Sequence, residues 1–173
     1  MIEVTKNWHP TIFVPEAGNQ HNLRVWLGAL YSGDYEKGIG KMHYIEDGVH
    51  KWCCLGVACD VSGQAEWHQW ARPVNTNAQE IFDYKGEANY WPQAVRQWLG
   101  IESPKPYLFD GIDPELLDVR GISLIRVNDE KTQCTFPQIA DLVKMVYGDD
   151  ETRVMSDQAC IDAYRAYQVV RNS

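Results

Sequence analysis

The chain has 173 residues, of which 45% are hydrophobic and 12% aromatic, so it can bury a core, and this composition excludes intrinsic disorder. Its 24 acidic residues outnumber the 16 basic ones, and without a cluster of Lys and Arg to face phosphates we expect no direct nucleic-acid binding. We see no secretory signal and no membrane-length apolar run, and the five cysteines match no disulfide framework, which predicts reduced thiols in the cytoplasm and no membrane contact.

The first predicted element is a helix that follows an extended lead-in. Residues 1–19 contain two prolines and a glycine, which favour extended chain. Asn22 is a suitable N-cap for the helix, and Ser32-Gly33 is a suitable end. The apolar residues between them recur at helical spacing and predict one buried face, made of Leu23, Trp26, Leu27, Leu30 and Tyr31.

A β-hairpin is predicted next, because Asp47-Gly48 lies between two alternating segments and favours a two-residue turn. The turn fixes the register of the two strands. One face then carries His43 opposite Trp52, with Ile45 and His50 beside them. The predicted pairs on the other face are Glu46 with Val49, Tyr44 with Lys51 and Met42 with Cys53.

The middle of the chain alternates short elements with loops. A helix is predicted from Cys54 to Val61, closed by Gly63, and an ordered loop over 64–79. A second hairpin is predicted around Lys85-Gly86, with strands at Ile81 to Tyr84 and Ala88 to Trp91. The expected elements after it are a helix with Pro92 in its first turn and Gly100 at its end, and a proline-rich connector over 101–115.

The last third predicts helices. The expected elements are a short helix from Ser123 to Val127 that ends at Asn128-Asp129, a helix from the Thr135 and Gln138 capping box to Gly148, a solvated acidic loop at Asp149-Asp150-Glu151, and a final helix capped by Ser156. Two hairpins among helices predict an α+β fold. We therefore expect one domain over 1–173, with the lead-in at 1–19 and a C-terminal helical segment at 149–173.

Three of the five cysteines lie between Cys53 and Cys59, where a strand runs into a helix. A thiolate of Cys53 or Cys54 would be favoured near a helix N-terminus, with His43 or His50 as base, so a cysteine nucleophile is one hypothesis. Packing of small cysteines in a tight corner is the favoured alternative, because free cysteines are mostly buried. The ligand types suit zinc, but the spacing of structural zinc sites is missing, so no metal or other cofactor is expected.

Two further motifs have structural and functional interpretations. Residues 135–140 superficially resemble the start of a DNA-recognition helix, but Lys144 is the only base that follows in that helix, which favours a structural role. Asn128 and Asp129 between two helices favour turn chemistry, although they also suit hydrogen bonds to a ribose or a base edge.

Several segments together resemble a group of small, uncharacterised proteins of bacteriophages and prophage regions. The resemblance covers most of the chain, from about Leu23 to Val146, and Ala58 and Val127 depart from its pattern. The matching segments are Leu30 to Tyr35 with Lys37 to Lys41, the Cys-Cys-Leu-Gly-Val-x-Cys-Asp motif at Cys53 to Asp60, Pro92-x-x-Val95 with Trp98-Leu99-Gly100, Val127-Asn128-Asp129, and Phe136-x-x-Ile139-Ala140-Asp141.

The resemblance implies a phage accessory protein that acts in the host cytoplasm, where such proteins often counter host defence. An acidic, aromatic-rich domain without a recognised catalytic motif favours binding over chemistry. The leading hypothesis is therefore sequestration of a small nucleotide-derived signal, with a homo-oligomer as one arrangement. The residues expected to bind it by stacking, by charge or by hydrogen bonds are Lys41, His43, Trp52, Trp67, Trp70, Arg72, Tyr90, Arg126, Asn128 and Asp129; Lys51 is a further candidate cation.

Two alternatives stay open. The acidic, aromatic surface is also suited to inhibit a host defence protein by occupying it. A hydrolase or transferase that uses Cys53 or Cys54, with His43 as base, is the second alternative.

Overall fold

The computed structural model describes residues 14–70, 80–104, 106–109, 122–129 and 134–173. Within them the chain forms the predicted single α+β domain, with seven helices, a four-stranded antiparallel sheet and a two-stranded sheet. The helices are α1 Ala17–Ser32, α2 Cys54–Ser62, α3 Gln93–Leu99, α4 Leu124–Asp129, α5 Phe136–Tyr147, α6 Asp150–Val154 and α7 Asp157–Arg171. The strands are β1 His43–Glu46, β2 Val49–Trp52, β3 Trp67–Gln69, β4 Glu80–Tyr84, β5 Tyr107–Phe109 and β6 Ile122–Ser123.

Helix α1 is the centre of the helical layer, and α2, α3, α5 and α7 pack against it. Gly28 permits the close approach of α7, because a Cβ at this position would lie 2.0 Å from the carbonyl oxygen of Cys160. The helix begins at Ala17, earlier than predicted. Asn22 is not its cap, since its side chain donates to the carbonyl of Trp98 at 2.8 Å. The lead-in up to residue 13 lies outside the described residues.

The first hairpin is confirmed with its predicted register. Asp47 and Gly48 both adopt positive φ, as a hairpin turn of this length requires. Met42 and Cys53 lie just beyond the strands and are joined by a hydrogen bond from the Cys53 N–H to the Met42 carbonyl at 3.2 Å. The strand pairs are His43 with Trp52, Tyr44 with Lys51, Ile45 with His50, and Glu46 with Val49.

The second half of the sheet differs from the prediction. The segment 67–69, expected in a loop, forms β3, and residues 71–79 lie outside the described residues. The turn at Lys85-Gly86 is present, but Ala88 to Trp91 does not form the second strand of a hairpin. Strand β4 instead pairs with β1 and β3, giving the order β2-β1-β4-β3. This central position buries Ile81 and Tyr84 more completely than a lone hairpin would.

Helix α2 packs directly on the start of β1. A Cβ at Gly56 would lie 1.8 Å from the Met42 carbonyl oxygen, so only glycine permits this approach. The helix has nearly the predicted bounds, and Gly63 closes it in the left-handed conformation.

The predicted N-caps of α5 and α7 are confirmed. The capping box of Thr135 and Gln138 is present at α5, and Ser156 caps α7. The prediction of an acidic loop after Gly148 was wrong: Asp149 is the N-cap of α6, whose first turn carries the other two acids, because carboxylates stabilise a helix N-terminus.

One predicted boundary is confirmed and another needs correction. Helix α4 ends at Asn128-Asp129 as predicted and begins at Leu124, one residue later than predicted. Strand β5 forms within the predicted connector over 101–115, of which residues 105 and 110–115 lie outside the described residues. In the described part of the chain, no helix has the length and apolar character needed to span a membrane.

Candidate functional site

The register of the sheet places three flat side chains side by side on one face. His43 pairs with Trp52 of β2 on one side and with Phe82 of β4 on the other. The His43 ring lies almost parallel to both. Its centre is 4.6 Å from that of the Trp52 ring, with 8° between the ring planes, and 4.4 Å from that of the Phe82 ring, with 16° between the planes. We call His43, His50, Trp52, Trp67 and Phe82 the histidine face.

The carboxylate of Asp60, on α2, orients two of the aromatic rings around this face. Asp60 accepts a hydrogen bond from the Tyr35 hydroxyl at 2.6 Å and one from the Trp67 indole N–H at 2.9 Å. Tyr35 in turn meets Trp52 edge to face at 5.1 Å, and Trp67 meets His43 at 4.9 Å. The last residue of the Cys-Cys-Leu-Gly-Val-x-Cys-Asp motif therefore fixes the aromatic rings that surround His43.

The two histidines form a pair. Nε2 of His43 and Nδ1 of His50 lie 2.8 Å apart, a hydrogen-bond distance. His43 is only 5% exposed, whereas His50 is exposed to solvent. Burial, and then the charge of His50, lower the pKa of His43 to about 4, so its ring is neutral at pH 7.

The histidine face also carries two buried polar atoms that lack a hydrogen-bond partner among the described residues. They are Nδ1 of His43 and Nε1 of Trp52. A buried polar atom without a partner costs about 1–3 kcal/mol, so native proteins leave few of them. Two such atoms on adjacent stacked rings mark this face as the strongest candidate for a binding site.

A second group of predicted residues is joined by contacts of its own. The ammonium of Lys41 lies 5.9 Å from the ring centre of Trp70 and donates to Asn89 Oδ1 at 2.9 Å. Trp70 is 41% exposed and Tyr90 43%. The remaining predicted cations are Lys51, which pairs with Glu46 at 2.6 Å, Arg126, which is exposed on α4, and Arg72, which lies outside the described residues.

Asn128 and Asp129 act within the fold. The Asn128 side chain is fully buried: its Oδ1 accepts the Cys54 N–H at 3.1 Å, and its Nδ2 donates to the Gly38 carbonyl at 2.8 Å. Asp129 accepts the Gly40 N–H at 3.1 Å and the Asn128 amide at 2.9 Å. Both residues therefore connect α4 to the glycine-containing segment before β1. The Asn128 side chain, for which a hydrogen bond to a ligand was one interpretation, also binds the N-terminus of α2.

The cysteine cluster is buried. Burial raises the pKa of the Cys53 thiol to about 12 and that of Cys54 and Cys59 well above the ordinary value. A thiol in this state carries almost no thiolate at neutral pH, which favours packing over nucleophilic chemistry. Among the described residues no group of three His, Cys, Asp or Glu side chains is arranged to hold a metal ion.

Sequence reasoning placed His43, His50 and Trp52 on one face correctly but missed three of their neighbours. Phe82 was missed because β4 was assigned to a separate hairpin, although alternation along 80–84 could have placed it on a face with Tyr84. Tyr35 and Asp60 were missed because their contact is long-range and no local pattern signals it.

Comparison with known proteins gives a family but no function. Residues 19–147 match the model of a domain of unknown function, DUF8296. No curated protein and no solved structure matches the chain.

Proposed function

The chain belongs to the DUF8296 family, a domain of unknown function, and we propose that it binds a small nucleotide-derived molecule at the histidine face and sequesters it. The observation that carries the proposal is the pair of buried polar atoms, His43 Nδ1 and Trp52 Nε1, which have no partner within the described part of the chain and lie among stacked rings. Binding pockets typically combine apolar and aromatic walls with a few such polar groups.

A heteroaromatic ligand suits this chemistry. Its ring would contact the edges and outer surfaces of Trp52, Trp67 and Phe82, because the two flat sides of His43 are already covered by Trp52 and Phe82. The exposed ring of His50 offers an accessible polar contact beside them. Since the two unpartnered atoms are enclosed, binding would shift at least one ring of the face.

Sequestration is favoured over turnover by the state of the thiols. Cys53 is 6% exposed and Cys54 0%, so attack by either thiol on a ligand at the histidine face would require an opening of the structure around the start of α2. The resemblance to phage and prophage proteins supplies the biological setting: a phage accessory protein that removes a nucleotide immune signal in the host cytoplasm.

Native mass spectrometry with a panel of cyclic nucleotides and ADP-ribose derivatives tests the proposal. We expect a stoichiometric complex that releases the intact molecule after denaturation, and the same spectrum gives the number of chains in the complex. Recovery of a converted molecule would replace sequestration with catalysis. A panel without any binder would overturn the proposal and turn attention to a host protein as the partner.

Trp52→Phe locates the site. This change keeps a stacked ring but removes the indole N–H, so we expect the affinity for the bound nucleotide to fall about fivefold to tenfold. Trp98→Phe is the matched control, because Trp98 lies on α3 and contacts Tyr167 of α7. Equal affinities for the two variants would place the binding site elsewhere.

A further inference from the structure

The hydrogen bond between the two histidines permits only two arrangements of protons while both rings are neutral. In the first, His43 carries its proton on Nε2 and donates to His50 Nδ1, so that His50 presents Nε2–H to solvent. In the second, His50 donates from Nδ1, so that His43 carries its proton on Nδ1 and His50 presents a bare Nε2. The two arrangements offer a ligand opposite polarities.

The burial of His43 Nδ1 distinguishes the two proton arrangements. Nδ1 of His43 is enclosed and has no partner among the described residues. In the second arrangement this atom would be a buried N–H without an acceptor, whereas in the first it is a buried acceptor without a donor, and among backbone groups the unpaired N–H is the rarer of the two in folded proteins. The first arrangement leaves only a lone pair unsatisfied and is therefore the stable one.

We propose that His43 fixes the tautomer of His50, so that His50 Nε2–H is a hydrogen-bond donor of constant polarity that selects a nucleobase by an acceptor on its edge. This inference rests on the proposed function and names the part of the ligand that is recognised. A carbonyl oxygen or an unprotonated ring nitrogen of a base is such an acceptor. His43 is a positioning residue in this scheme, because it acts through His50.

A phosphate oxygen is also an acceptor, but the charge near the pair disfavours it. While His50 is neutral, the charged group among the described residues that acts on His43 is the carboxylate of Asp60, which raises the pKa of His43 against the effect of burial. The field of a carboxylate repels an anion and does not affect a neutral base. The base is therefore the part of the ligand that we assign to His50.

The tautomer can be measured without any ligand. Long-range proton–nitrogen correlation spectra of uniformly ¹⁵N-labelled protein at pH 7 distinguish a protonated ring nitrogen from a bare one. We expect both histidines to be protonated on Nε2 and bare on Nδ1. A His43 protonated on Nδ1 would overturn the proposal, whatever the protein binds.

Binding then tests the role of the donor. The probes are adenosine, guanosine, cytidine and uridine with their 5′-monophosphates, measured by titration calorimetry. His50→Phe keeps a ring and removes the donor, so we expect the affinity for the best nucleoside to fall about fivefold, and His50→Gln, which can donate from its amide, to recover most of it. His68→Ala is the control, since His68 is exposed and lies on the opposite face of β3 from Trp67.

The outcomes separate the two proposals. Unchanged affinity in His50→Phe would overturn the donor role and leave the proposed function standing. A monophosphate that binds more than tenfold more tightly than its nucleoside, with that difference lost in His50→Phe, would assign the donor to phosphate and overturn recognition of the base. Failure of the unaltered protein to bind any of the eight probes would overturn base recognition, while the panel of cyclic nucleotides and ADP-ribose derivatives tests the proposed function separately.

Discussion

The Asn128 side chain joins α4 to two other parts of the chain. Its Oδ1 accepts the N–H of Cys54 at the start of α2, and its Nδ2 donates to the Gly38 carbonyl. An amide can do this because it has a donor and an acceptor at opposite corners. The backbone carbonyl of Asn128 also accepts a hydrogen bond from the Lys37 ammonium at 2.8 Å. At this residue the sequence predicted hydrogen bonds within the fold, but it predicted them to local turn atoms, whereas the partners of the side chain are 74 and 90 residues distant along the chain.

Asn128→Ala should destabilise the fold without a change in its secondary structure. The substitution leaves the Cys54 N–H and the Gly38 carbonyl buried without partners, at about 1–3 kcal/mol for each group, so we expect a loss of about 2–4 kcal/mol in the free energy of unfolding. Denaturant titration followed by circular dichroism measures it. Asn89→Ala removes only the acceptor of one partly exposed hydrogen bond and should cost under about 1 kcal/mol; an equal loss in both variants would contradict the assigned role.

The five thiols should differ sharply in their reaction with a disulfide reagent. Cys53, Cys54, Cys59 and Cys160 are buried with raised pKa values, whereas Cys134 is partly exposed. Because only the thiolate reacts, we expect a single fast thiol at pH 8 in the native protein and all five after denaturation. Cys134→Ser should abolish the fast reaction, and a fast reaction that persists in this variant would show that the packing of α2 or α7 opens readily.

At the scale of elements, short-range sequence signals predicted the first hairpin and its register, but they did not predict which distant strand pairs with it. The Asp47-Gly48 turn determined the register of β1 and β2, because a two-residue turn leaves one way to align the strands. The pairing of β4 with β1 joins segments almost forty residues apart, and no turn specifies it. The histidine face depends on that pairing, so sequence reasoning found His43 opposite Trp52 but could not place Phe82 beside them.

The contact between α2 and β1 depends on a glycine. Gly56→Ala would place a Cβ within 1.8 Å of a backbone carbonyl, which cannot turn aside as a flexible side chain would, so α2 must move. We expect a loss of about 1–3 kcal/mol or more in the free energy of unfolding, measured by thermal or denaturant unfolding. Gly18→Ala is the matched control, because a Cβ there meets no atom within 4 Å; it should be neutral or stabilise α1 by up to about 1 kcal/mol.

At the scale of the whole molecule, the C-terminal helix belongs to the core although the family match ends before it. Residues 19–147 match the family, whereas α7 spans Asp157–Arg171. Cys160 and Tyr164 of α7 are buried against the helical layer, and Arg171 donates to the carbonyls of Asp60 and Val61 at the end of α2. Asp34 binds α7 as well, because its carboxylate accepts hydrogen bonds from Tyr164 and Arg165. The residues that hold Asp60 in place thus come in part from outside the matched region.

The buried histidine should make the stability of the whole molecule depend on pH in a defined window. An unfolded histidine titrates near pH 6.5, and the folded pKa of His43 is about 4, so between these values the unfolded chain binds a proton that the folded one does not. Stability contributed by the neutral ring is therefore present above pH 6.5 and is lost as the pH falls toward 4. The expected loss is about 2–3 kcal/mol in the free energy of unfolding.

His43→Phe isolates this contribution, because phenylalanine preserves the stack with Trp52 and Phe82 and takes up no proton. Denaturant titrations at a series of pH values should show a smaller fall between pH 6.5 and 4 in the variant than in the unaltered protein. Asp34 and Asp149 do not interfere: hydrogen bonds from Arg165 and from the Thr152 N–H lower their pKa values, so what they contribute is lost only at more acidic pH. Parallel curves for the two proteins would mean that His43 takes up its proton in the folded state, which the enclosed ring and its bond to His50 oppose.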